Sequence, residues 1–325
     1  MTFETEMQSS WFAFVGVSTS ASSIMNVFPK WIKELGRPDV LIRGIDHDLH
    51  DSCDNYRRTV QQLKENPFCV GALVTTHKMD LYSAASDLFD EIGEPGRLTR
   101  EISAISKREN LLIGDALDPL TAGLSLDGIL GADYFLNNDR TVLNFGAGGS
   151  GMAISLYFMQ KTRSADRPRK FIMVNRSEER LNKLRQLVED LNTEIEFEYI
   201  CNESPQVNDR IMSDLPKGSL VINSTGMGKD RPGSPITADG VFPAQAVVWE
   251  INYRGELEFW HQAMAQCRSR NLVVEDGWVY FLHGWTQHIA NALNLDIDAE
   301  TFSRLAQIAA PLRPPLIARA PLKSA

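Results

Sequence analysis

The hydrophobic pattern at the start of the chain alternates between short apolar runs and stretches of helical periodicity. Phe12–Val17 predicts a strand, and a helix is expected after the small polar run STSASS. The apolar face of this helix contains Ile24, Val27, Phe28, Trp31, Ile32 and Leu35. Gly36 is its expected end, because glycine tolerates the backbone conformation that stops a helix.

The same alternation continues over the next sixty or so residues. The runs VLIRGID and GALVTT predict strands, and YRRTVQQLKEN between them predicts a helix. After GALVTT, a further helix is expected to end at Gly93. Its apolar positions are Leu81, Ala84, Ala85, Leu88 and Ile92.

A second unit of the same kind is expected after the segment GDALDPLTAGLSLDGIL. TVLNF and KFIMVN predict buried strands, and GAGGSGMAISLYFM opens a helix directly after the first of them. Ser177 is the expected N-cap of the helix EERLNKLRQLVEDL, and SLVINSTG and AVVWEINY predict further strands. The inner face of that helix contains Leu181, Leu184, Val188 and Leu191. This alternation of strands and helices predicts an α/β fold with largely parallel, helix-covered sheets.

The composition is that of a globular protein. With 325 residues, of which 43% are hydrophobic and 23% charged, the chain is long enough for two domains. No apolar stretch is long enough to span a bilayer, and the first residues, MTFETEMQSSWF, lack the basic and apolar regions of a secretory signal. The four cysteines are scattered without a CxxC motif, so we expect free thiols and a cytoplasmic location.

Net charge and the spacing of possible metal ligands bear on the expected partners. A net charge of −9 argues against a nucleic-acid surface, and no membrane partner is predicted. The segment DHDLHDSCD gathers His47, Asp48, His50, Asp51, Cys53 and Asp54. Its spacing matches no standard metal-ligand set, so a solvated acidic loop is the favoured interpretation and no metal site is predicted.

A glycine-rich turn indicates a dinucleotide-binding site. Gly146, Gly148 and Gly151 form the pattern GxGxxG between a predicted strand and a predicted helix. Such a turn lets the backbone approach a pyrophosphate closely and presents the unpaired N–H groups of a helix N-terminus to it. The pattern alone is weak evidence, but the strand–turn–helix context strengthens it. The alternative is a glycine-rich turn without a ligand.

The end of the next strand indicates which dinucleotide. NAD-binding domains usually have an acidic residue there for the ribose 2′-OH, whereas this chain has Asn175, Arg176 and Ser177, with Arg180 one turn later. A carboxylate would repel a 2′-phosphate, and arginine pairs with one in a fork geometry. NADP(H) is therefore favoured over NAD(H). The alternative is that both arginines are ordinary surface charges.

Several segments, in order, resemble motifs of the shikimate dehydrogenase family, and the resemblance covers most of the chain. They are FVGVSTSASSIMN, VTTHK, LIGDALDP, GAGGSG, NRSEER, VINSTGMG, VVWEINY and EDGWVYFLHGW. The resemblance implies that Lys78 and Asp118 are the catalytic pair. It also implies substrate-binding roles for Ser20, Ser22, Thr75, Thr76, Ser103, Tyr253 and Gln287. The implied cofactor-binding residues are Gly146, Ala147, Gly148, Gly149, Ser150, Gly151, Asn175, Arg176, Ser177, Arg180, Thr225, Met227 and Gly277.

The resemblance also implies a domain arrangement. Residues 1–122 would form an α/β substrate domain, 123–275 a Rossmann-like NADP domain, and 276–325 a helical segment that packs back on the first domain. The active site would be the cleft between the two domains. The implied substrate is a small cyclic hydroxy acid such as shikimate, in aromatic amino acid biosynthesis, and the expected assembly is a monomer or a homodimer.

The implied chemistry is the interconversion of a ring hydroxyl and a ketone. Hydride transfer to or from NADP requires a group that removes or supplies the hydroxyl proton. Lys78 can act as a base if burial lowers its pKa, and Asp118 opposes that shift by stabilising the ammonium. In the reductive direction the Lys78 ammonium donates the proton. The structural alternative is an exposed lysine at a helix start and a turn-forming Asp118 before Pro119.

The chain departs from the family pattern where the substrate is held. The Asn and Pro that normally precede the lysine are missing from ALVTT, and Ser103 stands where the family has Asn. Ala116 and Leu117 replace Asn-Thr before the aspartate, and the expected glutamine falls at or near Gly284, with Gln287 one turn on. Because buried polar groups discriminate strongly between ligands, we expect a remodelled substrate pocket. The remaining alternatives are a quinate or other cyclic alcohol dehydrogenase that uses NAD(H), and a non-catalytic NADP-binding sensor.

Overall fold

The computed structural model describes residues 9–136, 139–229 and 231–316. The chain divides into two compact units. The first contains the chain up to Asp118 together with Leu282–Arg313, and the second is built on Pro119–Phe281. Among the described residues, no helix is both long and apolar enough to cross a membrane.

Eleven α-helices lie in the described ranges. They are α1 (Ile24–Glu34), α2 (Cys53–Glu65), α3 (Lys78–Ala85), α4 (Glu94–Thr99), α5 (Asp118–Leu130), α6 (Gly149–Gln160), α7 (Glu178–Leu191), α8 (Pro205–Ser213), α9 (Glu258–Arg270), α10 (Trp278–Leu293) and α11 (Ala299–Ala309). Helix α1 ends before Gly36, whose φ of +72° is the conformation that the sequence predicts for a glycine stop. Ser177 caps α7, as predicted, by accepting a hydrogen bond from the backbone N–H of Arg180.

The sheet of the first unit has the order β2-β1-β3-β5-β6-β4. Its strands are β1 (Trp11–Gly16), β2 (Leu41–Asp46), β3 (Cys69–Val74), β4 (Glu91–Ile92), β5 (Ala104–Arg108) and β6 (Leu111–Asp115). The neighbours of β1 run parallel to it, as predicted. Strand β5 runs antiparallel to both β3 and β6, which the sequence pattern did not predict.

Helix α3 is shorter than predicted. It ends at Ala85 instead of continuing to Gly93, and β4 follows. The reason is a pair of hydrogen bonds between Asp90 and Leu112 of β6, one from each backbone N–H. They draw the segment to the edge of the sheet, where Ile92 packs against the core.

The C-terminal helices belong to the first unit from Leu282 onwards. The indole of Trp31 in α1 donates a hydrogen bond of 2.7 Å to the carbonyl of Leu305 in α11. The ring of Trp285 in α10 meets that of Phe14 in β1 edge to face at 4.9 Å. Both tryptophans are buried, so these contacts exclude water and tie the end of the chain to its beginning.

The sheet of the second unit is parallel throughout, with the order β12-β11-β10-β7-β8-β9. Its strands are β7 (Thr141–Phe145), β8 (Lys170–Asn175), β9 (Glu196–Cys201), β10 (Leu220–Asn223), β11 (Val247–Glu250) and β12 (Val273–Glu275). Every residue of β7, β10 and β11 is buried, as is usual for central parallel strands. This is a Rossmann-like arrangement, and the predicted α/β fold class is confirmed.

Candidate functional site

Lys78 lies where a buried strand gives way to a helix. Strand β3 ends at Val74 and α3 begins at Lys78, as the pattern predicts. The neighbouring His77 is buried, and its Nδ1 lies 2.9 Å from the hydroxyl of Tyr56. Burial lowers the pKa of His77. His77 is therefore a core residue, whereas Lys78 is only half-buried.

Lys78 and Asp118 form an ion pair. The Nζ of Lys78 donates a hydrogen bond to Oδ2 of Asp118. Asp118 is 6% exposed and is the first residue of α5, where the helix dipole favours negative charge. The two residues that the motifs paired are thus in contact, and their catalytic role stays a prediction.

Glu101 is a second carboxyl group beside Lys78, and the motifs did not identify it. It is 2% exposed, and the next residue, Ile102, donates its backbone N–H to the carbonyl of Lys78. Burial raises the pKa of Glu101 to about 7, although the charge of Lys78 acts to lower it. Its Oε1 is buried and lacks a hydrogen-bond partner in the ranges that the structure describes. In the sequence it is only one glutamate in LTREISAIS, which looks like a surface charge.

The two carboxyl groups decide the pKa of Lys78. Burial acts to lower this pKa, but the charges of Asp118 and Glu101 and the hydrogen bond to Asp118 raise it above its ordinary value. The desolvation that would make Lys78 a base is therefore outweighed in the free protein. At neutral pH Lys78 is an ammonium, which suits proton donation.

Ser103 and His288 form a second buried pair in the same unit, and both are at most 3% exposed. The Ser103 hydroxyl lies 3.3 Å from His288 Nε2 and accepts the backbone N–H of Leu117. Burial lowers the pKa of His288 to about 4, so its ring is neutral. His288 Nδ1 lies 2.5 Å from the carbonyl of Gly284. A carbonyl only accepts, so Nδ1 carries the proton and Ser103 donates to Nε2.

The sequence attached no role to His288. It lies one residue after Gln287, which was predicted to bind substrate. Gln287 is half-buried, whereas His288 is buried. The signal that would have found His288 is its spacing of four from Gly284, at or near which the resemblance places a glutamine, since residues four apart share a helix face.

The predicted substrate-binding residues that follow β1 and β3 have different exposures. Ser20 and Thr76 are exposed, and Ser22 is half-buried. Thr75 donates both its hydroxyl and its backbone N–H to the carbonyl of Val15. Ser20 and Thr76 thus remain open to a ligand, while Thr75 holds β3 to β1.

Tyr253, the last predicted substrate residue, belongs to the second unit. It is half-buried, and its ring lies 4.5 Å from that of Phe281 and 5.6 Å from that of Trp278. These contacts fix the ring at the start of α10.

Two glycines in the loop of the second unit have no room for a side chain. Gly146 has φ of +110°, and a Cβ there would lie 2.7 Å from the carbonyl of Ser224. A Cβ on Gly151 would lie 2.1 Å from the carbonyl of Gly146. Gly148 is the N-cap of α6, with Gly149, Ser150 and Gly151 in its first turn. Both close contacts are what a backbone cradle for a pyrophosphate requires.

Two buried polar residues that the sequence did not single out brace this loop. The side-chain amide of Asn144 and the hydroxyl of Ser224 both donate to the carbonyl of Gly146, at 2.8 and 2.9 Å. Asn144 also donates to Ser224 at 2.9 Å. The turn is therefore held from the ends of β7 and β10 before any ligand binds.

The predicted 2′-phosphate residues follow β8. Asn175 accepts the backbone N–H of Ala147 and donates to the carbonyl of Ser177, so it links the glycine loop to the start of α7. Arg176 and Arg180 are exposed. Within the described ranges neither guanidinium belongs to an ion pair. A Cβ on Gly148 would lie 3.8 Å from Arg180 Nη1, so this arginine reaches the loop.

The remaining predicted cofactor residues follow β10 and β12. Thr225 donates its N–H and hydroxyl to Asn223 Oδ1 and accepts the N–H of Met227. Gly277 donates its N–H to the carbonyl of Asn252. A Cβ on Gly277 would lie 1.9 Å from the carbonyl of Ile251, so packing alone requires this glycine.

The histidine and acidic residues that the sequence analysis considered as metal ligands have structural roles. His47 is buried between Asp51 (2.7 Å) and Thr59 (2.9 Å), and helix α2 begins at Cys53. The expected solvated loop is thus partly ordered by these bonds. Among the described residues there is no cluster of three or more metal-ligating side chains. The four cysteines are free.

No protein-family model matches the sequence, and no curated protein matches it. Solved structures match almost the whole chain. Quinate dehydrogenase from Corynebacterium glutamicum in complex with NAD is 16% identical, with a TM-score of 0.71 over 93% of this chain and 99% of the other. A shikimate dehydrogenase in complex with NADP+ is 17% identical, with a TM-score of 0.68 over 92% and 95%.

A third match has a different named activity. The ligand-free 5-ketofructose reductase of Gluconobacter sp. strain CHM43 is 18% identical, with a TM-score of 0.69 over 92% of this chain and 98% of the other. At these identities the likeness concerns the fold. The resemblance that the motifs indicated is confirmed at that level, and the chain has the α/β fold of the shikimate and quinate dehydrogenases.

Proposed function

We propose that this protein is an NADP(H)-dependent oxidoreductase that interconverts a ring hydroxyl and a ketone on shikimate or a related cyclic hydroxy acid. The observation that carries the proposal is the ion pair between Lys78 and the buried Asp118. It lies in a chain with the fold of known dehydrogenases of such substrates. With shikimate as substrate, the reaction would belong to aromatic amino acid biosynthesis.

The residues of the second unit fit a nicotinamide dinucleotide. Gly146 and Gly151 have no side chains that would obstruct the backbone of the loop. The N-terminus of α6 can present N–H groups to a pyrophosphate. Arg176 and Arg180, exposed and outside any ion pair of the described residues, suit a 2′-phosphate. The bound dinucleotide would accept or supply the hydride. NAD(H) is the alternative, since the similar quinate dehydrogenase was solved with NAD.

Residues of the first unit, Lys78 and Asp118, would carry out proton transfer. In reduction, the Lys78 ammonium gives a proton to the substrate oxygen as the alkoxide forms, and Asp118 holds the ammonium in line. In oxidation, the neutral Lys78 amine takes the hydroxyl proton. Because the neighbouring carboxyl groups raise the pKa of Lys78, the free protein at neutral pH already carries the proton that reduction needs.

The substrate residues suggest a ligand less polar than shikimate. Ser103 uses its hydroxyl hydrogen on His288, and Ala116 and Leu117 have apolar side chains. Ser20, Ser22, Thr76 and Tyr253 remain as candidates to bind a carboxylate or hydroxyls. The name of the similar 5-ketofructose reductase indicates that this fold also accepts a sugar ketone, so that ligand belongs in any substrate panel.

The test is NADP reduction by shikimate and by quinate, and NADPH oxidation with cyclic keto acids and 5-ketofructose. We expect turnover that falls at least 100-fold in Lys78→Ala, with NADPH affinity unchanged. Lys33→Ala, an exposed lysine of the same unit, is the matched control. Equal turnover in wild type and Lys78→Ala would refute the catalytic pair. Tight NADPH binding without turnover of any ligand would favour the sensor.

A further inference from the structure

We propose that Glu101 is a positioning residue that acts through Lys78. Its negative charge keeps Lys78 in the ammonium form and so prepares the pair of Lys78 and Asp118 to donate a proton. The catalytic meaning of this inference rests on the proposed function. The interaction itself is a property of the free protein and can be measured without cofactor or substrate.

The backbone holds Glu101 beside Lys78. The N–H of Glu101 donates to the carbonyl of Gly96 in α4 at 3.2 Å, and the N–H of Ile102 donates to the carbonyl of Lys78 at 3.2 Å. The side chain is 2% exposed. Because so little water reaches the carboxyl group, its charge acts on its neighbours with weak screening.

Glu101 lacks the partners that a buried structural carboxylate normally has. Its Oε1 is buried and finds no hydrogen-bond donor among the described residues. Glu250 in the second unit is a contrast, because that buried carboxyl group accepts hydrogen bonds from Asn223 and Asn252. A buried polar atom without a partner destabilises the fold, so a role beyond packing is expected for Glu101.

Few charged groups surround Glu101. The charges of Lys78, at the start of α3, and Asp118, at the start of α5, affect the pKa of Glu101. The same two charges affect the pKa of His288 in α10. His288 is neutral above pH 5, because burial lowers its pKa to about 4. Glu101 is therefore the group in this cluster that ionises near neutral pH, since its pKa is about 7.

In the proposed reaction, Glu101 would affect how Lys78 regains the proton that it donates. In ketone reduction, the Lys78 ammonium transfers a proton to the carbonyl oxygen while hydride reaches the carbon, and an amine remains. Water must then return a proton to this amine before the next turnover. The carboxylate of Glu101 favours that return, because it stabilises the ammonium over the amine.

The first experiment measures the reactivity of the Lys78 amine. Wild-type protein without ligands is labelled with trace acetic anhydride from pH 6 to pH 9, and Lys78 is compared with the exposed Lys33 by peptide mass spectrometry. We expect the charge of Glu101 to shift the pKa of Lys78 by roughly 0.5 to 1 unit. The Lys78/Lys33 ratio should therefore fall about three- to tenfold between pH 6 and pH 8. A constant ratio would overturn the inference.

Two variants sharpen the result. In Glu101→Gln the ratio should no longer fall with pH, and at pH 8 Lys78 should label about three- to tenfold faster than in wild type. Glu101→Asp keeps an ionisable group and should preserve the fall. Equal labelling of Lys78 in wild type and Glu101→Gln would overturn the inference, and if Glu101→Gln does not fold, the wild-type series still decides.

The outcome is independent of the proposed function. If the labelling ratio behaves as expected but no ligand is turned over, the proposed function fails and the action of Glu101 on Lys78 stands. If turnover depends on Lys78 but the ratio is constant and Glu101→Gln labels like wild type, the proposed function stands and the role of Glu101 is refuted.

Discussion

The hydroxyl of Ser103 joins the imidazole of His288 to the backbone N–H of Leu117, the residue before Asp118. A side chain of α10 thereby holds the segment that carries one half of the ion pair with Lys78. His288 and Ser103 are 185 residues apart, so this connection exists only because the C-terminal helices pack on the first unit. The neutral, singly protonated imidazole is what lets Ser103 donate to it.

We predict that His288 makes the protein less stable in mild acid. Burial lowers its folded pKa to about 4, against 6.5 ordinarily. The stability that neutral His288 contributes is complete above pH 6.5 and is lost as the pH falls towards 4, since the unfolded chain takes up the proton first. At pH 5 the loss is about 2 kcal/mol. The free energy of unfolding at pH 7 and pH 5 measures it.

The variant His288→Gln isolates this effect. It cannot be protonated, so its free energy of unfolding should fall less from pH 7 to pH 5 than that of wild type, by about 2 kcal/mol. His50→Gln is the matched control, because it makes the same replacement at a side chain that is 84% exposed. An identical fall in wild type and His288→Gln would mean that His288 is charged in the folded protein.

Asp118→Asn should weaken proton transfer while leaving the fold intact. The amide retains the shape of the carboxylate but removes its charge, so the pKa of Lys78 should fall. We expect kcat of ketone reduction to drop about 100-fold, and the pH above which reduction declines should move to lower values. The measurement is a kcat profile from pH 6 to pH 10 with unchanged NADPH binding.

Asp87→Asn provides the same change of charge at a surface ion pair with Arg57 and should alter kcat little. A normal kcat in Asp118→Asn would exclude Asp118 from the catalytic pair, whatever the result for Lys78.

The fold was largely predictable because its signals are local. β7 and β8, the glycine turn and the cap at Ser177 each follow from a few neighbouring residues. β5 and β6 were missed because AISKRENLLIGD has no clear alternation, and their hairpin turns at Glu109, which has φ of +53°. Helix α3 was overextended because the hydrogen bonds of Asp90 come from β6, twenty-two residues later.

The site was less predictable because the pKa values of its residues depend on tertiary packing. Lys78 draws attention in the sequence as a charge at a strand end, and Asp118 was identified only through a family motif. Glu101 and His288 carry no such motif, and their altered pKa values arise from burial. Burial of a single polar residue depends on which helices cover it, and neither pattern nor composition reveals that.

Arg176→Ala is expected to weaken NADPH binding selectively. If the guanidinium pairs with the 2′-phosphate, its loss should raise the Kd for NADPH about 10- to 100-fold, the usual value of a hydrogen bond between charged groups. The Kd for NADH should stay the same, because NADH lacks that phosphate. Fluorescence titration of both dinucleotides measures the ratio.

Lys183→Ala is the control for this experiment, because Lys183 is a cation of α7 already paired with Glu179. It should change neither Kd beyond about twofold. Equal affinity of Arg176→Ala and wild type for NADPH would mean that Arg176 is an ordinary surface charge. If wild type bound NADH more tightly than NADPH, the NAD-dependent alternative would be favoured.

Gly151→Ala tests the loop by its geometry. The added Cβ would lie 2.1 Å from the carbonyl of Gly146 and 3.2 Å from the amide of Asn144, so the turn must open. We expect the free energy of unfolding to fall by about 1–3 kcal/mol and NADPH affinity to fall at least tenfold, since the N–H groups of α6 would move from the pyrophosphate. Denaturant unfolding and NADPH titration measure the two effects.

Gly128→Ala separates this clash from the general effect of adding a methyl group. Gly128 lies in α5, and a Cβ there meets no atom within 4 Å. Because alanine is the better helix former, this variant should gain up to about 1 kcal/mol and bind NADPH normally. If Gly151→Ala were as stable as wild type and bound NADPH equally well, the loop could not be the close-fitting cradle that the cofactor proposal requires.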